Sequence, residues 1–171
     1  MNQQCPCGSL VPYQNCCHPL HSGARLAGDA KLLMKSRYCA FATLAVDYLV
    51  ATHSPQTRDT ISKVDIAQWA KSCQWLALDV INFSQTATTA QVEFVAWYKE
   101  NGKVQCLHDL SHFTLEPVDP LLTAINDQPM LKTHAWYYHR STPPKIARTV
   151  PKRNDACICG SGKKFKKCCD S

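Results

Sequence analysis

Two stretches of this chain carry the same cysteine pattern, CPCGSLVPYQNCC at residues 5–17 and CICGSGKKFKKCC at residues 157–169, and both read C-x-C-x8-C-C. Four sulfurs gathered in this way suit a soft divalent cation, because structural zinc takes four thiolate or imidazole ligands in a closed tetrahedron. C-x-C sets two sulfurs on one tight turn, and the C-C pair returns two more across an eight-residue loop. Gly8 and Gly160 follow the second cysteine of each copy, where the backbone must bend beside a metal. Tyr13 and Phe165 share one register, each the small core of a knuckle with little other apolar mass. The expected ligands of two structural Zn2+ ions are Cys5, Cys7, Cys16 and Cys17, and Cys157, Cys159, Cys168 and Cys169. His18 is an alternative to Cys17, although its counterpart Asp170 favours the cysteine. A redox disulfide does not account for two four-cysteine copies, and common iron–sulfur spacings open with two or four residues between cysteines. Another thiophilic metal would satisfy the same ligands.

The copies differ in charge. Lys163, Lys164, Lys166 and Lys167 surround Phe165 in the late copy, and the early copy has no lysine. The net charge of +6 falls within residues 145–171, where eight Lys/Arg meet only Asp155 and Asp170. Four thiolates and one Zn2+ sum to −2, which leaves the tail at about +4 and the early motif at about −2. A basic tail is an electrostatic footprint for RNA, a ribosome, anionic lipid or an acidic protein. A solvated lysine face is the plainer reading. GSGKK lacks the strand–G-x-x-x-x-G-K-[ST]–helix context of a phosphate-binding loop, so nucleotide binding is not expected.

The elements between the motifs suit one ordinary domain. No run approaches the roughly 18 apolar residues of a membrane span, and MNQQCPCGS lacks the basic and apolar regions of a signal peptide. A soluble, cytoplasmic protein is expected, in which Cys39, Cys73 and Cys106 are buried structural thiols. Asp29 caps a predicted helix running to about His53, with Met34, Tyr38, Phe41, Ala45 and Tyr48 on its buried face. A second helix is predicted over 62–72, capped by Ser62 and turning Trp69 inward. WLALDVINF, AQVEFVAWYK, VQCLHDLSHFTLE and HAWYYHR read as strands, with Asn101-Gly102 as a two-residue hairpin turn. Pro117, Pro120 and Pro129 mark a loop. Helices first and antiparallel strands afterwards give an α+β domain with the helices on one sheet face. Residues 141–156 read as a basic, proline-rich linker, semi-extended and mobile, from which the last motif projects.

CICGSGKKFKKCC resembles the SEC-C motif, the zinc knuckle at the C-terminus of the SecA preprotein translocase, through its C-x-C-G-S-G-K-K-[YF]-K-x-C-[CH] pattern. A copy at each end, with LHDLSHF and AWYYH between, resembles the bacterial YchJ family. The resemblance implies a cone-shaped nuclear-transport-factor-2-like (cystatin-like) middle domain, with helices packed on a curved antiparallel sheet. The implied layout is a knuckle over 1–20, the domain over 25–140, the linker over 141–156 and a knuckle over 157–171. It also implies an interaction role without identifying the partner; from the charge of the tail, Lys163, Lys164, Phe165, Lys166 and Lys167 are the expected docking surface for a protein, ribosome or nucleic acid.

Cone-shaped domains of this kind include isomerases, dehydratases and hydrolases, but fold alone confers no chemistry. Candidate pocket residues are Tyr38, His108, Asp109 and Trp136. His108 and Asp109 are adjacent on one strand and must face opposite ways, which weakens an acid–base pair and any catalytic assignment. Trp97, Tyr98, Trp136, Tyr137 and Tyr138 are expected to pack rather than stack on bases. A zinc-binding adaptor that docks a macromolecule through its charged knuckle is the leading expectation, and an enzyme or small-ligand protein using the central cavity, with structural knuckles, is the alternative. A filled cone favours docking, and an open cavity with convergent polar groups favours a ligand. The neutral early knuckle is expected to pack near the domain, and the charged one to act as the probe.

Overall fold

The computed structural model describes residues 4–125 and 132–171, and Pro129 of the predicted loop lies outside them. The helices are α1 (His18–His21), α2 (Ala30–Thr43), α3 (Val46–Ala51), α4 (Lys63–Ser72) and α5 (Pro120–Thr123). The strands are β1 (Cys73–Gln85), β2 (Thr89–Glu100), β3 (Lys103–Pro117) and β4 (His134–Thr142), paired antiparallel in the order β1-β2-β3-β4.

Local chemistry sets the boundaries. Asp29 caps α2 by accepting from Leu32 N at 2.6 Å. Ser62 caps α4 by accepting from Asp65 N at 3.2 Å. Asn101 and Gly102 take φ of 50° and 75°, so the β2–β3 hairpin turns in two residues as predicted. Three register shifts, two in β1 against β2 and one between β3 and β4 at His112/Phe113, bend the sheet into the open cone.

The predicted helix to His53 is two helices. Leu44 adopts φ 59°, and Ala45 N bonds back to Ala40 O at 2.9 Å, which closes α2 before α3 begins. A left-handed closing residue is usually glycine, so leucine gave no stop signal. The apolar face survives the break: Met34, Tyr38 and Tyr48 are core residues, with Phe41 and Ala45 packed against them. On the sheet the same core takes Val92, Phe94, Ala96, Phe113 and Trp136.

Residues 141–156 do not lift the last motif away from the body. Arg148 N donates to His108 Nδ1 at 2.9 Å, and Cys106 Sγ donates to Arg148 O at 3.5 Å. The segment thereby lies along the outer face of β3. That face carries apolar side chains of its own, including Val95, Trp97 and Val104, whose burial favours a cover. Phe165 and Cys157 then pack against Val104 and Leu76. The helices cover one face of the sheet, and the C-terminal knuckle caps part of the other. Among the described residues no helix is long and apolar enough to cross a membrane.

Candidate functional site

The two knuckles share one backbone hydrogen-bond pattern. Cys5 N bonds Val11 O and Cys157 N bonds Lys163 O, both at 2.9 Å; Gly8 N and Gly160 N reach back to Cys5 O and Cys157 O, both at 3.2 Å. Leu10 occupies a left-handed position, φ 62°, where the second copy has Gly162 at 73°. A 3-10 turn follows, Tyr13–Asn15 and Phe165–Lys167, and leads into the vicinal pair. Cys16 and Cys168 share an unusual backbone, ψ −91° and −97°, which turns adjacent cysteines toward one centre.

In each knuckle the four sulfurs lie within 4.8 Å of one another, and none is in a disulfide. Cys7–Cys16 is 3.5 Å, Cys16–Cys17 4.0 Å, Cys157–Cys159 3.5 Å and Cys159–Cys168 3.4 Å. A tetrahedron of Zn–S bonds has edges of about 3.8 Å, so the thiols present fit that ion. Hydrogen bonding from Cys17 lowers Cys7 to about 4, and hydrogen bonding from Ser161 lowers Cys159 to about 6. Ser9 and Ser161, each following the glycine, also hydrogen-bond Cys16 and Cys168 at 3.1 and 3.4 Å.

The N-terminal knuckle is built into the domain through a polar chain. Tyr13 OH donates to His21 Nδ1 at 2.9 Å, and His21 Nε2 donates to Ser36 O at 2.9 Å. Ser36 Oγ lies 2.7 Å from Tyr48 OH. Burial pushes His21 below the usual imidazole range. His18 is only edge-on to Tyr13 and lies in none of the metal-capable groups.

Inside the cone lies a cavity of about 440 Å³. Aromatic and aliphatic walls dominate, with Phe41, Trp69, Trp75, Phe94, Leu107 and Tyr138 contributed by α2, α4 and all four strands. Trp69 and Trp75 meet edge-to-face at 5.1 Å on that side. The polar groups are few: Arg37, Tyr38, His53, Asp109, Ser111, and Asp65 on the exposed side.

Arg37 dominates the electrostatics. It is buried, and Nη1 donates to Leu49 O at 2.7 Å and Thr52 Oγ1 at 2.6 Å. Its guanidinium carbon lies 4.8 Å from the centre of the Tyr138 ring. Among the described residues no carboxylate pairs with it, and both of its hydrogen bonds to protein groups come from Nη1. Burial lowers it to about 10, which still leaves it charged at neutral pH. Asp109 shares the cavity and is pushed up by burial, opposed by the Ser141 hydroxyl and His108.

His53, against Tyr138, is lowered to about 4 by burial and then by the charges of Arg37 and Arg58. The folded protein therefore binds fewer protons than the unfolded chain between about pH 4 and 6.5. Stability is full above that window and falls as pH drops through it. Urea unfolding at pH 7 and 5 should show a loss that His53→Gln reduces by about 1–2 kcal/mol. His21 shifts the same way, so some slope should persist.

The predicted pocket residues separate. Tyr38 and Asp109 stand in the cavity wall. His108 does not: it is on the opposite face, where Nε2 donates to Glu93 Oε1 at 3.0 Å, as strand alternation requires. Trp136 shares the inner face but lies farther along β4, in the core beside Leu33 and Tyr48. Sequence reasoning missed Arg37, His53, Ser111 and Tyr138. Arg37 had a signal, since it lies three residues after Met34 and four before Phe41, inside the apolar helix face. The lysines of the late knuckle sit on its outside, with Lys163, Lys164 and Lys167 exposed and Phe165 buried beneath them.

Comparison with known proteins agrees with this architecture. The family model for the YchJ middle NTF2-like domain matches residues 29–141, and the SEC-C motif matches residues 1–19 and 153–169. A UPF0225 protein of Shewanella sp. (strain MR-4) is 36% identical over 177 residues, spanning 98% of this chain and 96% of that one. The crystal structure of a SEC-C motif containing protein from Psychrobacter arcticus superposes with TM-score 0.67 at 32% identity, covering 98% of this chain and 95% of that one. The solution structure of a SEC-C motif containing protein from Rhodopseudomonas palustris gives TM-score 0.68 at 28% identity, covering 84% and 100%. With an NTF2-like cone between two SEC-C cysteine clusters, the chain belongs to the YchJ (UPF0225) family.

Proposed function

We propose that this protein binds a small apolar molecule with an anionic head group in the central cavity, while Zn2+ in both knuckles fastens the segments that flank the domain. The observation that carries this reading is Arg37, a buried cation without an acid partner among the described residues, in a cavity whose walls are mainly apolar. A buried charge is costly unless it is paired. A carboxylate or similar head meets Nε and Nη2 with charge-assisted, bidentate hydrogen bonds. The volume suits a small molecule rather than a polymer. Asp109 offers a second polar contact for a ligand hydroxyl. A thermal-shift panel of apolar carboxylates against their matched amides tests the reading. Stabilisation by several acids and by none of the amides is expected, and equal response to both would overturn it.

A second reading rests on the other face. Lys163, Lys164 and Lys167 are exposed on a knuckle that Phe165 anchors to the sheet, and Lys145, Arg148, Lys152 and Arg153 are exposed before it. This surface suits an acidic macromolecule such as RNA, a ribosome or an acidic protein, in a reducing, cytoplasmic setting that keeps the thiols free. Reversing Lys163, Lys164, Lys166 and Lys167 to glutamate should cut binding of a labelled RNA at low salt by about 100-fold or more with metal content unchanged. Equal binding by the two proteins would remove the docking reading and leave the cavity untouched.

A further inference from the structure

The centre of the N-terminal knuckle contains a sulfur that its own C-x-C-x8-C-C loop does not supply. Cys39 projects from the middle of α2, and its Sγ lies 3.6 Å from Cys5 Sγ, close to the edge length of a four-sulfur tetrahedron. Cys39 Sγ is also within 4.8 Å of Cys17 Sγ. Cys17 and Cys39 are 0% exposed, Cys7 2% and Cys5 4%, whereas Cys16 is partly exposed. The most deeply buried sulfurs are therefore three from the loop and one from the helix, not the four of the motif.

Among the described residues nothing else competes for the position. His21 groups with Cys17 and Cys39, but Tyr13 and Ser36 engage its two ring nitrogens. The C-terminal knuckle has no such neighbour. Its group holds only Cys157, Cys159, Cys168 and Cys169, while Cys106 hydrogen-bonds Arg148 O and Cys73 lies against Ser72 and Glu100. The two motifs share one spacing and one backbone, yet only the first has a fifth thiol beside it.

We propose that Cys39 is a reserve ligand of the N-terminal metal site, and that Cys5, Cys7, Cys17 and Cys39 form a second complete thiolate set. Cys39 takes the vertex of Cys16 when that more exposed thiol is lost or capped. A ligand sulfur must be deprotonated. In a simple exchange the proton leaves the Cys39 thiol and is taken up by the departing Cys16 thiolate, so the charge of the site is conserved. When a covalent cap removes Cys16, the Cys39 proton goes to solvent. The site thus draws on the middle domain as well as the loop. Its replacement ligand comes from the helix that also carries Arg37 and Tyr38 into the cavity wall.

Zinc per chain, measured on the full-length protein after removal of loosely bound metal, tests the proposal. Two ions are expected for the unaltered protein and one for Cys168→Ser, because the C-terminal site has no reserve. Cys16→Ser should keep two, Cys39→Ser should keep two, and Cys16→Ser with Cys39→Ser should keep one. One ion in Cys16→Ser alone, or two in the double variant, overturns the proposal. Should the double variant fail to fold, alkylation of native Cys16 by iodoacetamide gives the same comparison without it. The capped Cys39→Ala protein should hold one ion fewer than the capped unaltered protein, a difference that alkylation of the exposed Cys159 leaves intact because it acts on the C-terminal site of both. Equal retention or equal loss in the two overturns the proposal.

Discussion

Replacing Arg37 by methionine should reduce affinity for 2-naphthoate by about 100-fold and leave affinity for 2-naphthamide unchanged. A carboxylate held by two charge-assisted hydrogen bonds in a water-poor site gains about 2–3 kcal/mol over its neutral counterpart, and 1.4 kcal/mol is tenfold. Methionine keeps the apolar length of the side chain and removes only the fork. The same change tests how the fold tolerates the charge. Arg37 bonds Leu49 O and Thr52 Oγ1, so methionine leaves a buried carbonyl with one partner fewer, at a cost of about 1–3 kcal/mol. It also removes a cation buried without a counterion, which offsets that loss. Urea unfolding should therefore shift by no more than about 2 kcal/mol, small beside the selective loss of the acid. A parallel fall for acid and amide would mean that Arg37 shapes the cavity rather than recognising charge.

Cys157→Ser should unfold the C-terminal knuckle while β1–β4 remain folded. The knuckle has one buried aromatic, Phe165, packed with Cys157, Ile158, Cys168, Cys169 and Val150 against Val104 and Leu76 of the sheet. Four-sulfur knuckles of this size draw their folding free energy from metal binding. Without the metal, amide exchange over residues 157–169 should rise by about 100-fold or more. The contact of Phe165 with Val104 and Leu76 goes with it, costing the body about 2–4 kcal/mol of apolar burial. Exchange in the β2–β3 ladder should rise far less. Chelation of the unaltered protein should give the same pattern at this end. Uniform exchange across the chain would show instead that knuckle and cone unfold as one unit.

The difference between the two ends shows what was legible in the sequence. Cysteine spacing, the glycine after it and the aromatic six residues on are local, and both knuckles form with those residues in matching positions. The four strands and the two-residue hairpin follow from alternation and Asn101-Gly102, both short-range signals. What the sequence concealed depends on long-range contact. Leu44 ends α2 in a conformation usually given to glycine, so the split into two helices had no marker. The basic segment looked like a free linker because its partners, His108 and Cys106, lie about 40 residues earlier. Arg37 drew no reading until the sheet closed over it, and Cys39 read only as a buried structural thiol until the loop folded back onto α2.

An apolar anion held in the cone should be visible from the tryptophans around it. Titration of the unaltered protein with 2-naphthoate, followed through the fluorescence of Trp69 and Trp75 in the cavity wall, tests it most directly. The account predicts saturable quenching at one molecule per chain, with 2-naphthamide binding at least tenfold more weakly. Quenching that never saturates, or equal binding of acid and amide, would contradict it.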